Sequence, residues 1–141
     1  MNYIQRLRVD LSFGKVSEID HLNTLQSFFK DTTLKRTKDY FEFDYEGINI
    51  LIELKTRSNN KDKYEDTMIG ANKIKKAKQL MKENKELGVY FLFAFRDGLF
   101  YWKYDPLFTL KTQLGGRSDR GKPEIKSYAY IPVAELKPIL I

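Results

Sequence analysis

The chain has no cysteine and only one histidine, His21, among its 141 residues. Without thiols, disulfides and zinc–thiolate centres are excluded, and a reducing intracellular setting is expected. One imidazole cannot build a histidine-based zinc site, and general-base duty for His21 is a minor reading beside it. No apolar run approaches the ~20 residues of a membrane-crossing helix. The opening stretch, MNYIQRLRVD, lacks a signal-peptide core, so a cytoplasmic protein with no membrane partner is expected. Internal repeats, low-complexity tracts and linkers are also missing, which favours one domain over 1–141.

What is present is basic and aromatic. A net charge of +6 and a pI near 9.4 favour an anionic partner, most simply nucleic acid. The 14% aromatic content suits a dense core rather than a disordered basic tail. Most of Tyr90, Phe91, Phe93, Phe95, Phe100, Tyr101 and Trp102 belong in that core, since base stacking would need them exposed.

GKVSEIDHLNTLQSFFK reads as a helix, with Ser17 as N-cap and Asp20 completing a capping box. LKRTKDYFEFDYEGINILIELKTR has β character: Phe41, Phe43 and Tyr45 alternate, and the run 50–54 is fully apolar but for its glutamate. SNNKDKYED is a polar loop. The spacing predicts one Lys-rich helix over 67–87, with Gly88 as its C′ residue. VYFLFAFRDGLFYWKYD predicts a hairpin turning on Asp97-Gly98. KTQLGGRSDRGKPEIKS reads as a long basic loop, and YAYIPVAELKPILI as a short strand with a helical turn. This order predicts an α/β sandwich with a small mixed sheet and the long helix as crossover.

Within FDYEGINILIELKTR, Glu53 and Lys55 point to the same side of their strand, because side chains alternate. They form either a structural ion pair or part of a metal site. Phosphodiester hydrolysis needs a divalent ion on hard oxygen ligands, a positioned water and positive charge near the phosphorane. Two carboxylates and a lysine on adjacent strands supply these, and Asp44 is the second carboxylate. A tight turn on Glu46-Gly47 would leave Asp44 about 13 Å from Glu53 at ~3.3 Å per residue, with Glu42 as substitute ligand. A later turn, with its tip at Gly47 to Asn49, brings Asp44 opposite Glu53. The carbonyl of Leu54, between Glu53 and Lys55, is a further candidate oxygen ligand.

The Asp44, Glu53-Leu54-Lys55 pattern resembles the active-site signature of the PD-(D/E)XK nuclease superfamily. FDYEGINILIELKTR, DTMIGANKIKKA, VYFLFAFRDGLFYWKY and GGRSDRGKPE together resemble small predicted nucleases of phages and large DNA viruses. The resemblance implies a restriction-endonuclease-like αβββαβ core, a central mixed sheet flanked by helices, and a Mg²⁺ site (Mn²⁺ as substitute) on Asp44 and Glu53. It also implies DNA as partner, a homodimer where two strands are cut, and a setting in a phage-infected cell. The superfamily often places a helix-borne glutamate beside its metals, and Glu18 matches that position. Glu18 shares its helical face with Leu22, Leu25 and Phe29; its plainer role is a first-turn carboxylate favoured by the helix dipole. Lys73 matches the polar residue that the helix after Glu-X-Lys commonly sends into the site. On its apolar stripe with Ile69, Ile74, Ala77 and Leu80, it could equally snorkel to solvent.

Arg57 shares the face of Glu53 and Lys55 and suits bidentate phosphate contact or a salt bridge. Arg117, Arg120 and Lys122 lie among Gly115, Gly116 and Gly121, in a loop that either closes on a phosphate backbone or stays idle. Three functions fit: a metal-dependent DNA nuclease, a catalytically silent DNA-binding module of the same fold, and a structural phage protein whose Glu53 and Lys55 are only an ion pair. The joint presence of Asp44, Glu53 and Lys55 favours the nuclease.

Overall fold

A computed structural model describes residues 21–39, 41–117 and 124–140. Helix α1 is taken up at 21–28. Strands β1 (Lys35–Arg36), β2 (Tyr45–Gly47) and β3 (Ile50–Thr56) follow. Then come β4 (Asp66–Gly70), helix α2 (Ala71–Glu83), β5 (Gly88–Phe95) and β6 (Gly98–Lys103). Strands β7 (Lys111–Arg117), β8 (Glu124–Pro132) and β9 (Lys137–Pro138) complete the order.

Six strands form a sheet in the order β1-β2-β3-β5-β6-β9, and β4-β8-β7 form a second sheet. In the larger sheet only β3 and β5 run parallel; the intervening β4 and α2 make their crossover. The architecture is thus α/β with a mixed central sheet between helices, as expected. Strand alternation divides β3 between two apolar layers. Ile50, Ile52 and Leu54 join Leu25 and the partly buried Leu22, Phe28 and Phe29 of the α1 segment. Leu51 lies on the other face with Phe91, Phe93 and Ala77 of α2. Truncating a fully buried ring such as Phe91 or Phe93 costs about 3–5 kcal/mol. Glu53 and Lys55 share the parity of Leu51, so the second layer is the one beside the polar residues.

Four expectations need correction. Residues 67–70 are the strand β4, not the first turn of a helix. Thr67 and Ile69 are buried while Asp66 and Met68 are exposed, a period of two that pairs with β8. Helix α2 ends at Glu83, whose C-cap is Asn84, and Gly88 opens β5 by donating its N–H to Asn49 O. The basic segment from Lys111 is two paired strands, β7 and β8. Finally, Phe95 pairs with Gly98, so Arg96 and Asp97 are the turn residues; Gly98, at φ +155°, is already in strand β6. Lys61 N–H donates to Asp97 Oδ1 and ties that turn to the preceding loop.

The β2–β3 hairpin turns late. Gly47 pairs with Ile50, leaving Ile48 and Asn49 at the tip, the latter at φ +54°. Asp31 accepts the Ile48 N–H at 2.8 Å, and a Cβ at Gly47 would lie 2.4 Å from Asp31 Oδ2. Only glycine lets this carboxylate reach the turn. Gly47→Ala is expected to destabilise the protein by about 1–3 kcal/mol, the usual cost of overpacking; urea unfolding checks it.

The ladder breaks at Asp44. Tyr45 pairs with Ile52, yet Asp44 N–H also donates to Ile52 O. Two residues therefore oppose one, the arrangement of a β-bulge, a device that re-aims side chains. The core records the same irregularity. Phe43 belongs to the layer under α2 and Tyr45 to the layer under α1, although regular alternation puts positions 43 and 45 on one face.

Candidate active site

Glu53 sits near the middle of the central sheet with only 4% of its surface exposed. Lys55 Nζ, two residues along the same strand, lies 3.3 Å from Glu53 Oε1. Lys73 Nζ reaches down from α2 to 3.4 Å from Oε2. Even so, Glu53 Oε2 accepts no hydrogen bond from the described residues. Burial, and secondarily the nearby charge of Asp44, push the Glu53 carboxyl above its ordinary value; the two ammonium groups pull the other way and lose.

The bulge delivers Asp44 to this place. Its Oδ2 accepts the N–H of Leu54 at 2.7 Å, which fixes the carboxylate beside the Glu53-Leu54-Lys55 run. Thr37 holds the bulged segment from behind: its N–H donates to Asp44 O at 2.9 Å, and its hydroxyl to Phe43 O. Lys73 is positioned by two further contacts, donation to Glu42 O and a place over the Phe43 ring, 5.5 Å from its centroid. Glu42 thus contributes a backbone carbonyl, and the late turn removes the need for it as a substitute ligand. No pattern along the chain points to Thr37, whose part depends on β1 lying beside β2. Phe43 reads as an ordinary core residue until the bulge turns it under Lys73.

Arg57 continues the strand face past Lys55, but its guanidinium is committed: Nη2 donates to Met68 O at 2.6 Å and Nε to Thr67 Oγ1 at 3.4 Å. It also lies over Phe93, 5.7 Å from the ring centroid, and burial lowers its pKa. Of the basic loop, Arg117 closes β7 opposite Glu124. Arg120 and Lys122 lie outside the described residues, as do Glu18 and the helix cap at Ser17 and Asp20. His21 falls at the start of the described part of α1. The ring cluster is internal as read: Phe91, Phe93, Phe95 and Trp102 are buried, and Phe91 and Trp102 stack at 6.2 Å.

Among the described residues no three His, Asp or Glu side chains gather as a metal-binding group. The site contains one buried carboxylate, a second held beside it by a backbone amide, and two lysines converging from a strand and a helix.

No individually curated protein matches the chain. The family described as "Phage putative PDDEXK endonuclease" matches residues 15–139, a span that includes Asp44, Glu53, Lys55 and Lys73. With that match over nearly its whole length and a mixed sheet flanked by helices, the chain belongs to this phage branch of the PD-(D/E)XK superfamily.

Proposed function

We propose that the protein hydrolyses phosphodiester bonds of DNA using a divalent ion, Mg²⁺ or Mn²⁺ in its place, held by Asp44 and Glu53. Glu53 carries this reading: it is 4% exposed, one of its oxygens accepts no hydrogen bond from the described residues, and its carboxyl stays above its ordinary value even with Lys55 and Lys73 at 3.3 and 3.4 Å, a deficit that a bound divalent ion would fill. The residues suit such an ion. Mg²⁺ is commonly held by one or two carboxylates, with waters and substrate phosphate completing its shell. Leu54 adds a candidate oxygen, because the N–H and C=O of one residue share an edge of the strand and its N–H already meets Asp44. Nucleases of this superfamily generally use divalent metals.

When bound, the ion polarises the scissile phosphate and lowers the pKa of a water. Asp44 and Glu53 hold it in place, their geometry fixed by the bulge and by the central strand. Lys55, half-exposed at the cleft, orients the attacking water or stabilises charge building on the phosphorane. Lys73 adds positive charge from the helix side.

The test is incubation with linear, nicked, branched and single-stranded DNA in Mg²⁺, Mn²⁺ or EDTA, with calorimetry of both ions. Cleavage that EDTA abolishes supports the reading. If no form is cut and neither ion binds, Glu53 and Lys55 are an ion pair and the nuclease assignment fails.

DNA affinity should fall steeply with salt, as lysine and arginine side chains release counterions from the phosphates. Replacing Arg117, Arg120 and Lys122 together should weaken binding and flatten the log–log slope by about 0.9 for each phosphate no longer neutralised. An unchanged slope makes the basic segment a bystander.

A further inference from the structure

The smaller sheet has one face in the core and one outside it. Ile69, Ala129 and Ile131 are buried against the central sheet. The opposite face carries Met68 beside Tyr130 and Gly70 beside Tyr128, with Lys111 and Gln113 completing the two rows on β7. Gly115 lies on this face as well, and a Cβ there would meet the Cδ2–Cε2 edge of the Tyr128 ring at 2.9 Å, so only glycine leaves room for the ring at this place. This face is one wall of a cleft of about 520 Å3 whose other wall is formed by Lys55 and Arg57. A second hollow, of about 450 Å3, shares Arg57, Met68 and Tyr130 with the first and extends to Tyr64, which is 58% exposed.

A trough therefore runs from the lysine of the catalytic cluster past three tyrosines and an exposed methionine. Lys55 and Arg57 line it nearest the cluster, Arg57 while keeping its bonds to Met68 O and Thr67 Oγ1, and Lys61 stands in the second hollow. Glu65 and Asp66 line its far end, where they repel phosphate but can accept the amino groups of bases. A duplex offers its phosphates to a protein surface; only unpaired nucleotides offer ring faces and base edges together. Stacking on aromatic rings beside a cationic track is the physics of single-strand binding.

We infer that the trough holds unpaired nucleotides of the DNA substrate next to the scissile bond, so that the preferred substrate is a flap, fork or single strand rather than intact duplex. The inference rests on the nuclease reading for its position and names that site's substrate class.

The test is fluorescence anisotropy in EDTA with an oligothymidylate, a blunt duplex, and the same duplex carrying unpaired thymidylate arms. The wild-type protein should bind the armed duplex at least about tenfold more tightly than the blunt one. Tyr128→Ala with Tyr130→Ala should abolish that preference, at about tenfold per ring, whereas the paired phenylalanine substitutions should keep it. Met68→Glu, at a position 43% exposed and so tolerant of change, should lower affinity for the armed duplex and the strand. Equal wild-type affinity for armed and blunt duplexes overturns the inference, as does an equal loss on all probes in the alanine pair. Because metal is absent, the two readings separate: preference for arms without cleavage in Mg²⁺ rejects the nuclease and keeps the trough. Cleavage of duplex without such preference does the reverse.

Discussion

Lys55→Ala is expected to slow cleavage by about two to four orders of magnitude while divalent ions still bind. The side chain is 39% exposed, so its loss opens no cavity in the core. What disappears is a compact ammonium at the cleft. Removing it also withdraws one of the two charges that oppose the upward shift of Glu53. Rates should therefore be compared across a range of pH, so that a shifted profile is not mistaken for a lost chemical step. Lys55→Arg gives the control. A guanidinium keeps the charge beside Glu53 but not the point-like ammonium geometry, so it should restore the pH profile more fully than the rate. Single-turnover assays measure the step directly. A Lys55→Ala enzyme that cuts at the wild-type rate would leave Lys55 as a partner of Glu53 and nothing more.

Glu53→Gln should abolish metal binding and cleavage together, yet leave a protein that is more stable than the wild type in EDTA. The amide is close to isosteric but has no charge to desolvate. Burial, with Asp44 adding to it, raises the Glu53 pKa above 4.5 in the folded state, so between the unfolded and folded values the native protein binds the extra proton. Stability from this group is therefore full below about pH 4.5 and is lost as pH rises through the folded value. The gap between variant and wild type should open above that pH and then level off, which thermal melts in EDTA across the acid range will record. DNA affinity should survive and strengthen, since a negative charge has left a cleft that meets phosphates. Equal stability at all pH values would mean that Lys55 and Lys73 fully compensate the buried carboxylate.

Much of this arrangement was legible because it rests on strand parity. Alternation alone puts Glu53 and Lys55 on one face, and the run of β-branched and leucine residues marks β3 as central. The late turn was one of two hairpins the residues allowed; Asp31 decides it, by capping Ile48 from 17 positions upstream. The bulge was not legible. Phe41, Phe43 and Tyr45 look like regular alternation, but Phe41 is exposed and the other two face opposite layers. An extra residue in a strand leaves no mark in a period of two when its neighbours on both sides are aromatic. The strand β4 merges by pattern with the following helix, because Ile69 and Gly70 suit either period over so short a stretch and its partner β8 lies about sixty residues away in sequence. Lys73 could be placed near the site from its stripe, although the carbonyl of Glu42 and the ring of Phe43 that hold it are brought to it only by the fold.

The hydrogen bond from Leu54 N–H to Asp44 Oδ2 has a bearing on how the two carboxylates would fare in a lineage released from selection for cleavage. Asp44 completes the backbone bonding of the central strand, so replacing it leaves a strand amide without its acceptor and weakens the fold whether or not the protein cuts anything. Glu53 does the opposite, since its buried charge lowers stability and, on the proposed mechanism, only chemistry rewards it. Under drift Glu53 should be exchanged early, for glutamine or an apolar residue, and Asp44 should persist. An aspartate at this bulge is then a mark of ancestry, and the glutamate two residues before the lysine is the mark of an enzyme still in use.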